Sequence, residues 1–126
     1  MGETKKVLVA DDDTDILELV VFKLEQSGYD VVAVPDGEAA LASIRQRPPH
    51  LAILDIMMPG RSGLDVLHEI RSDEGLSDVR VILLTARSRD LDVDAGFSTG
   101  ADDYVIKPFS PRELMHRVES LLSRRT

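Results

Sequence analysis

Five short apolar runs punctuate the chain: Val7–Ala10, Val31–Val34, Leu51–Leu54, Val79–Leu84 and Tyr104–Ile106. Each is too short for a helix and rich in β-branched residues, so each predicts a strand. The third and fourth runs barely alternate with polar residues. That marks strands buried on both faces, as in a parallel sheet covered by helices. Between the runs the apolar period lengthens to that of a helix. Ile16, Val20 and Leu24 follow the first run, with Leu17 and Val21 beside them, and Gly28 supplies a stop. Asp36 stands where it can cap a helix carrying Ala40, Leu41 and Ile44, which Pro48 and Pro49 prevent from continuing. Ser62 stands likewise before Leu67 and Ile70. Ser110-Pro111-Arg112-Glu113 has capping-box spacing with proline at the first helical position, ahead of Leu114, Val118 and Leu121. The stretch Asp90–Thr99 offers Leu91, Ala95 and Phe97 but contains Gly96 and ends at Gly100. It predicts a helix of low intrinsic stability, which suits an element that moves.

Strand and helix thus alternate five times. That order predicts an α/β domain of (βα)5 type, with a parallel sheet, right-handed crossovers and helices on both faces. A length of 126 residues fits one such domain. Linkers, repeats and low-complexity tracts are absent from the sequence. The charge balance narrows the function. With 15 Lys and Arg against 23 Asp and Glu, the net charge is −8, which repels nucleic-acid phosphates and anionic lipid. We therefore expect no direct nucleic-acid binding by this domain and no membrane association. No apolar run approaches the ~20 residues of a membrane helix. The opening Met1-Gly2-Glu3-Thr4-Lys5-Lys6 has no secretory apolar segment, so a cytoplasmic location is expected. Cysteine is absent, which excludes disulfides and thiolate metal sites. Tryptophan is absent too, and two Tyr and three Phe make a poor stacking platform for single-stranded nucleic acid.

In an open parallel α/β sheet, ligands bind outside the carboxyl ends of the strands. Those ends read Asp11-Asp12-Asp13 after the first run, Asp55 after the third, Thr85 after the fourth and Lys107-Pro108 after the fifth. The end of the second run, Pro35-Asp36-Gly37, reads as a turn and a cap. If the first and third strands are neighbours, Asp11, Asp12 and Asp55 share one pocket. Three carboxylates so close raise one another's pKa unless a cation joins them. An all-oxygen donor set selects Mg²⁺, Mn²⁺ or Ca²⁺ over Zn²⁺, and few protein ligands plus waters suit Mg²⁺ best. Three negative charges, one divalent ion and Lys107 sum to zero, so a phosphoryl group can enter. Carboxylate, metal, lysine and hydroxyl around one point make a phosphoryl-transfer site, and a carboxylate can itself become an acyl phosphate.

Four stretches, Val7–Asp13, Leu51–Gly60, Leu83–Ala86 and Gly100–Phe109, resemble in order and spacing the response-regulator receiver domain of two-component signalling. The resemblance covers essentially the whole chain and implies one receiver domain over residues 1–126. It implies a flavodoxin-like three-layer sandwich whose five-stranded sheet has the order 2-1-3-4-5. Asp55 is then the phospho-acceptor, charged by the phosphohistidine of a sensor histidine kinase or a phosphotransfer protein. Asp12 and Asp55 would bind Mg²⁺ directly and Asp11 mostly through water, with the backbone carbonyl of Met57 as a further ligand. Lys107 would pair with a phosphoryl oxygen. The Thr85 hydroxyl would swing toward the phosphoryl group and Tyr104 would turn inward behind it, switching the surface of the fourth helix, fifth strand and fifth helix. The Lys107–Pro108 bond is expected to be cis. Met57 and Arg87 would influence the phosphoryl lifetime, and the apolar Met57 points to minutes or longer.

Within that family Gly100–Tyr104 and Lys107–Leu114 resemble the winged-helix transcription-factor subgroup. The subgroup forms homodimers through the fourth helix, fifth strand and fifth helix by a charge ladder. Asp103 and Arg117 match one rung. Val93 stands where a basic residue would face Glu113, and Ser98 and Glu119 form no evident pair, which leaves the homodimer open. An output domain after Thr126, a separate partner and a stand-alone receiver are all open as well.

Plainer readings exist for each residue. Asp13 can simply cap the first helix, Asp55 can form a turn, Thr85 can be an ordinary strand-end residue, Lys107 a solvated lysine and Tyr104 a strand aromatic. His50, His68 and His116 match no ligand spacing and read as surface or boundary residues; Asp65 and Asp73 read as caps and loop charges. The enzymatic alternative is a phosphatase resembling the haloacid dehalogenases, which needs Asp-x-Asp-x-Thr after the first strand. Here Asp15 occupies the threonine place.

Overall fold

The computed structural model describes residues 4–86 and 100–123. Along them run β1 (Lys6–Ala10), α1 (Thr14–Gln26), β2 (Asp30–Val34), α2 (Gly37–Gln46), β3 (Leu51–Asp55), α3 (Gly63–Arg71), a 3-10 turn (Glu74–Leu76), β4 (Arg80–Ala86), β5 (Asp103–Lys107) and a last helix, Pro111–Ser123. The predicted fourth helix, and with it Arg87, Val93 and Ser98, falls outside the described residues.

The expected caps form. Asp13 Oδ1 accepts the N–H groups of Asp15 and Ile16 at 3.0 and 3.2 Å, and Asp36 Oδ1 accepts that of Ala39 at 2.8 Å. Ser62 and Asp65 satisfy each other's backbone N–H groups reciprocally at α3, and Ser110 Oγ accepts the Glu113 N–H at 3.0 Å. Each such cap stabilises by about 1 kcal/mol. Gly28, just past the end of α1, holds φ at +94°, a value that favours glycine.

The strands pair in parallel in the order β2-β1-β3-β4-β5. This is the expected flavodoxin-like strand order, with four of the five predicted helices among the described residues. β3 and β4 are buried almost throughout, as their uninterrupted apolar runs require. β4 differs from its predicted bounds. It starts after Val79 and runs past Leu84 to Ala86, because Thr85 and Ala86 continue the ladder against Ile106 and Lys107.

Two cores flank the sheet. Leu8, Leu54 and Leu83 pack with Ala40, Leu41 and Ile44 of α2 and with Val66, Leu67 and Ile70 of α3. Val9, Ile53, Leu84 and Val105 pack on the opposite face with Val20 and Leu24 of α1 and with Leu114, Val118 and Leu121 of the last helix. Burying each Leu or Ile stabilises by about 1.5–3 kcal/mol, so both layers are held firmly against the sheet. The register then decides where the chemistry falls. Ala10 pairs with Leu54, Asp55 with Leu84, and Ala86 with Lys107. Asp11, Asp55, Thr85 and Lys107 therefore emerge at the same edge.

Candidate functional site

Asp11 leaves β1 with its side chain fully buried. Its N–H donates to Val34 O at 3.3 Å, and its Oδ1 accepts the Asp13 N–H at 2.9 Å. Asp12, next along, is exposed, and Asp13 turns away to cap α1. Asp55 ends β3, also buried, with Oδ1 accepting the Met57 N–H at 3.3 Å. Lys107 reaches across from the end of β5. Its Nζ lies 3.1 Å from Asp11 Oδ2 and 3.2 Å from Asp55 Oδ2. Thr85 is buried on the intervening strand, its hydroxyl donating weakly to Ala86 O at 3.4 Å. Tyr104 is half-buried and packs against the cluster that holds Leu83. The Lys107–Pro108 peptide is cis. Asp11, Asp12, Asp55 and Lys107 therefore meet at one end of the sheet; Thr85 ends a neighbouring strand there, Tyr104 lies further back along β5, and Asp13 takes the helix-capping role.

Electrostatics set the character of this pocket. Burial, reinforced by the neighbouring Asp11 charge, pushes the Asp55 carboxyl up from 3.8 to about 6, with Lys107 and the Met57 N–H opposing. Burial alone would lower the Lys107 ammonium, but the charges of Asp55 and Asp11 more than offset it and hold its pKa above the ordinary value. Asp11, Asp12 and Asp55 each place one carboxylate oxygen within 4.8 Å of the others. Asp11 Oδ2 accepts no hydrogen bond among the described residues, so the Lys107 charge alone answers it. Three carboxylates against one ammonium leave two negative charges uncompensated. A hard divalent cation bound by oxygen matches both that charge and that donor set. The acidic cluster thus fits a metal ion.

Several contributors are not evident from the motifs. Gly63 opens α3 with its N–H on Ile56 O at 3.0 Å. A Cβ there would stand 2.4 Å from Asp55 O. At Gly37 a Cβ would stand 2.2 Å from Arg61 O, so α2 abuts the loop that follows Asp55. The sole sequence signal for either is a glycine where a better helix former would serve. His50 is half-buried, the boundary residue expected, and its Nδ1 accepts the Lys6 N–H at 2.9 Å at the start of β1. Beside the pocket, Ile16, Leu19, Pro108 and Phe109 line an open apolar hollow of about 380 Å³. Asp103 and Arg117 pair within the chain at 2.8 Å, with Glu113 at 3.5 Å from the same guanidinium.

Comparison with known proteins agrees with this geometry. Residues 7–119 match the model of the response regulator receiver domain. The chain is 42% identical over 120 residues to the DNA-binding response regulator MtrA of Mycolicibacterium smegmatis, covering 95% of this chain and 51% of that protein. It is 42% identical, again over 120 residues, to the alkaline phosphatase synthesis transcriptional regulatory protein PhoP of Bacillus subtilis, covering 95% and 49%. The chain spans about half the length of these relatives. Among solved structures it superposes on the response regulator DrrB of Thermotoga maritima, described as an OmpR/PhoB homolog. The TM-score is 0.87 at 39% identity, over 97% of this chain and 54% of that one. The BeF3-activated DrrB receiver domain gives a TM-score of 0.87 at 40% identity, over 97% of this chain and all of that one.

Proposed function

The chain belongs to the response regulator receiver domain family, and on that premise we propose that Asp55 accepts a phosphoryl group from the phosphohistidine of a sensor histidine kinase or phosphotransfer protein. The observation that carries this is the convergence of Asp11, Asp55 and Lys107 within 3.2 Å contacts at the carboxyl end of the sheet. An Asp55 carboxylate oxygen attacks phosphorus. The new P–O bond forms as the P–N bond to the donor imidazole breaks, and that bond's electron pair stays on the ring nitrogen. Hydrolysis later reverses the charge state, as water attacks phosphorus and the Asp55 carboxylate leaves.

Asp11, Asp12 and Asp55, with the Met57 backbone carbonyl, would hold Mg²⁺, which when bound supplies neutralising charge for the phosphoryl oxygens. Lys107, already poised over Asp55, pairs with one phosphoryl oxygen. The apolar hollow of Ile16, Leu19, Pro108 and Phe109 offers the donor protein a foothold beside the acceptor. The buried Thr85 hydroxyl, now weakly engaged, gains a charge-assisted partner in the phosphoryl group, and Tyr104 turns inward behind it. A difference of that kind, on the order of 1–3 kcal/mol, biases the surface of β5 and the last helix between two states.

Residues 1–126 act as one receiver domain in the cytoplasm. Their switched surface controls an output domain beyond Thr126 or a separate partner, in a transcriptional regulator like the relatives named above. No helix of the described residues is long and apolar enough to cross a membrane, and nucleic acid is contacted by the output, not by this acidic domain. A homodimer through the same surface would have to exchange the intrachain Asp103–Arg117 pair for one between copies.

Incubation with Mg²⁺ and radiolabelled acetyl phosphate tests the assignment. One equivalent of acid-stable, hydroxylamine-labile label is expected on Asp55, and none on the Asp55→Asn variant. Multiple turnover of a phosphate monoester with no label on Asp55 would favour a phosphatase instead.

A further inference from the structure

We infer that Arg71, at the opposite end of the sheet from the acceptor, positions Lys107 by holding β5 in register. The inference rests on the role proposed for Lys107 beside Asp55. Among the described residues β5 is an edge strand of five residues, paired with β4 alone. A slip of one residue turns every side chain to the other face, so a five-residue strand with one partner depends on whatever fixes its ends. On β5 that alternation sends Val105 into the core under α1 and the last helix, and Tyr104 toward α2 and α3. Lys107 shares the parity of Val105. A slip would carry its ammonium about 3.3 Å along the sheet and onto the wrong face. The 3.1 and 3.2 Å contacts to Asp11 and Asp55 would both be lost.

The pin lies at the other end of the strand. Asp102, immediately before β5, closes on Val81 twice: its N–H donates to Val81 O at 2.9 Å, and its Oδ2 accepts the Val81 N–H at 2.8 Å. Arg71, the last residue of α3, holds that carboxylate in place. Its Nη2 donates to Asp102 Oδ2 at 2.9 Å, its Nε to Gly100 O at 2.8 Å and its Nη1 to Val79 O at 2.7 Å. One guanidinium therefore joins the lead-ins of β4 and β5 and ties both to α3. The Arg71 and Asp102 side chains are 23% and 25% exposed, so the pair lies at the surface with its charged atoms partly covered, and its bond is directional. The three acceptors match a planar fork of donors, which a lysine ammonium lacks. Gly100 comes so near that a Cβ on it would sit 3.1 Å from Arg71 Nε.

A purely structural Arg71 and a positioning Arg71 differ in one measurable respect. Loss of the first lowers the melting temperature, while molecules still folded react at the normal rate. Loss of the second slows the reaction of the folded protein. The test is the initial rate of Asp55 labelling by acetyl phosphate at saturating Mg²⁺, well below the melting temperature. Wild type, Arg71→Gln, Arg71→Lys and Lys107→Ala are compared with the Arg71→Gln/Lys107→Ala double variant, and the core truncation Ile44→Val serves as a stability-matched control.

Arg71→Gln should slow labelling about tenfold or more, the scale of a misplaced catalytic group. Its Mg²⁺ affinity should not fall, since the ligands keep their places on β1 and β3 and lose only the competing Lys107 charge. Arg71→Lys should recover part of the rate, Ile44→Val should label normally, and Arg71→Gln should add no further slowing once Lys107 is gone. Asp102→Asn serves in its place if Arg71→Gln does not fold. Labelling of folded Arg71→Gln or Asp102→Asn at the wild-type rate would overturn the inference, as would equal slowing with and without Lys107. Failure of the site assignment itself looks different: wild type would take no label, or Lys107→Ala would label like wild type, and either result would overturn both.

Discussion

Replacing Asp55 with asparagine should stabilise the metal-free protein while abolishing its chemistry. The folded chain holds the Asp55 carboxyl at about 6 against an ordinary 3.8, chiefly through burial and then through the Asp11 charge. At about 1.4 kcal/mol for each tenfold in proton affinity, ionising this group in the fold costs about 3 kcal/mol more than in the unfolded chain. That figure already includes the opposing help of Lys107 and the Met57 N–H. The folded state binds this proton more tightly than the unfolded state. The stability it contributes is therefore whole below pH 3.8 and lost as pH rises through about 6. Asparagine has nearly the same shape and never carries that charge. At pH 7.5 in EDTA we expect Asp55→Asn to gain about 1–3 kcal/mol, a rise of about 3–10 °C in melting temperature. The difference between variant and wild type should shrink toward zero as pH falls to about 4. Added Mg²⁺ should narrow it from the other side, because the ion stabilises the wild type by mass action and the variant has lost a ligand. Thermal unfolding followed by circular dichroism, across pH and with and without Mg²⁺, measures all of this. An Asp55→Asn protein no more stable than wild type in EDTA at pH 7.5, or a gain that stays constant down to pH 4, would refute the electrostatic account of the pocket.

Asp12→Ala should weaken Mg²⁺ affinity measurably in a titration followed by heat or fluorescence, and unchanged affinity would put the ligand set in error. Phosphorylated Asp55 should persist for minutes or longer, since the apolar Met57, about half exposed beside the acceptor, cannot orient an attacking water. Met57→Glu should shorten that lifetime in a label-decay assay, and a wild-type half-life of seconds would contradict the idea. Gly37→Ala puts a methyl 2.2 Å from the Arg61 carbonyl, so the loop after Asp55 must shift. A loss of about 1–3 kcal/mol in urea unfolding is expected from such overpacking, and an unchanged midpoint would show that α2 can retreat freely.

Much of this protein is local enough to be legible in the order of its residues. The apolar runs, the caps Asp13, Asp36, Ser62 and Ser110, and the stop at Gly28 depend on neighbours within a turn or a strand. Even the site was legible as a set of residues, because an open parallel sheet places its ligands at the carboxyl strand ends and those ends carry Asp11, Asp12, Asp55, Thr85 and Lys107. What that set left undecided was distance. Asp11, Asp55 and Lys107 are far apart in the chain, and only the pairing of β1 with β3 and of β4 with β5 brings them into contact. The climb of the Asp55 pKa follows from that contact and from burial, which no local pattern reports. Packing alone likewise settled that Gly37 and Gly63 must be glycine, that His50 serves a backbone N–H, and that Arg71 clasps the lead-in to β5. Periodicity and capping act over a few residues and are written in sequence order, whereas register and close approach couple residues distant in the chain, so only the assembled sheet could decide them.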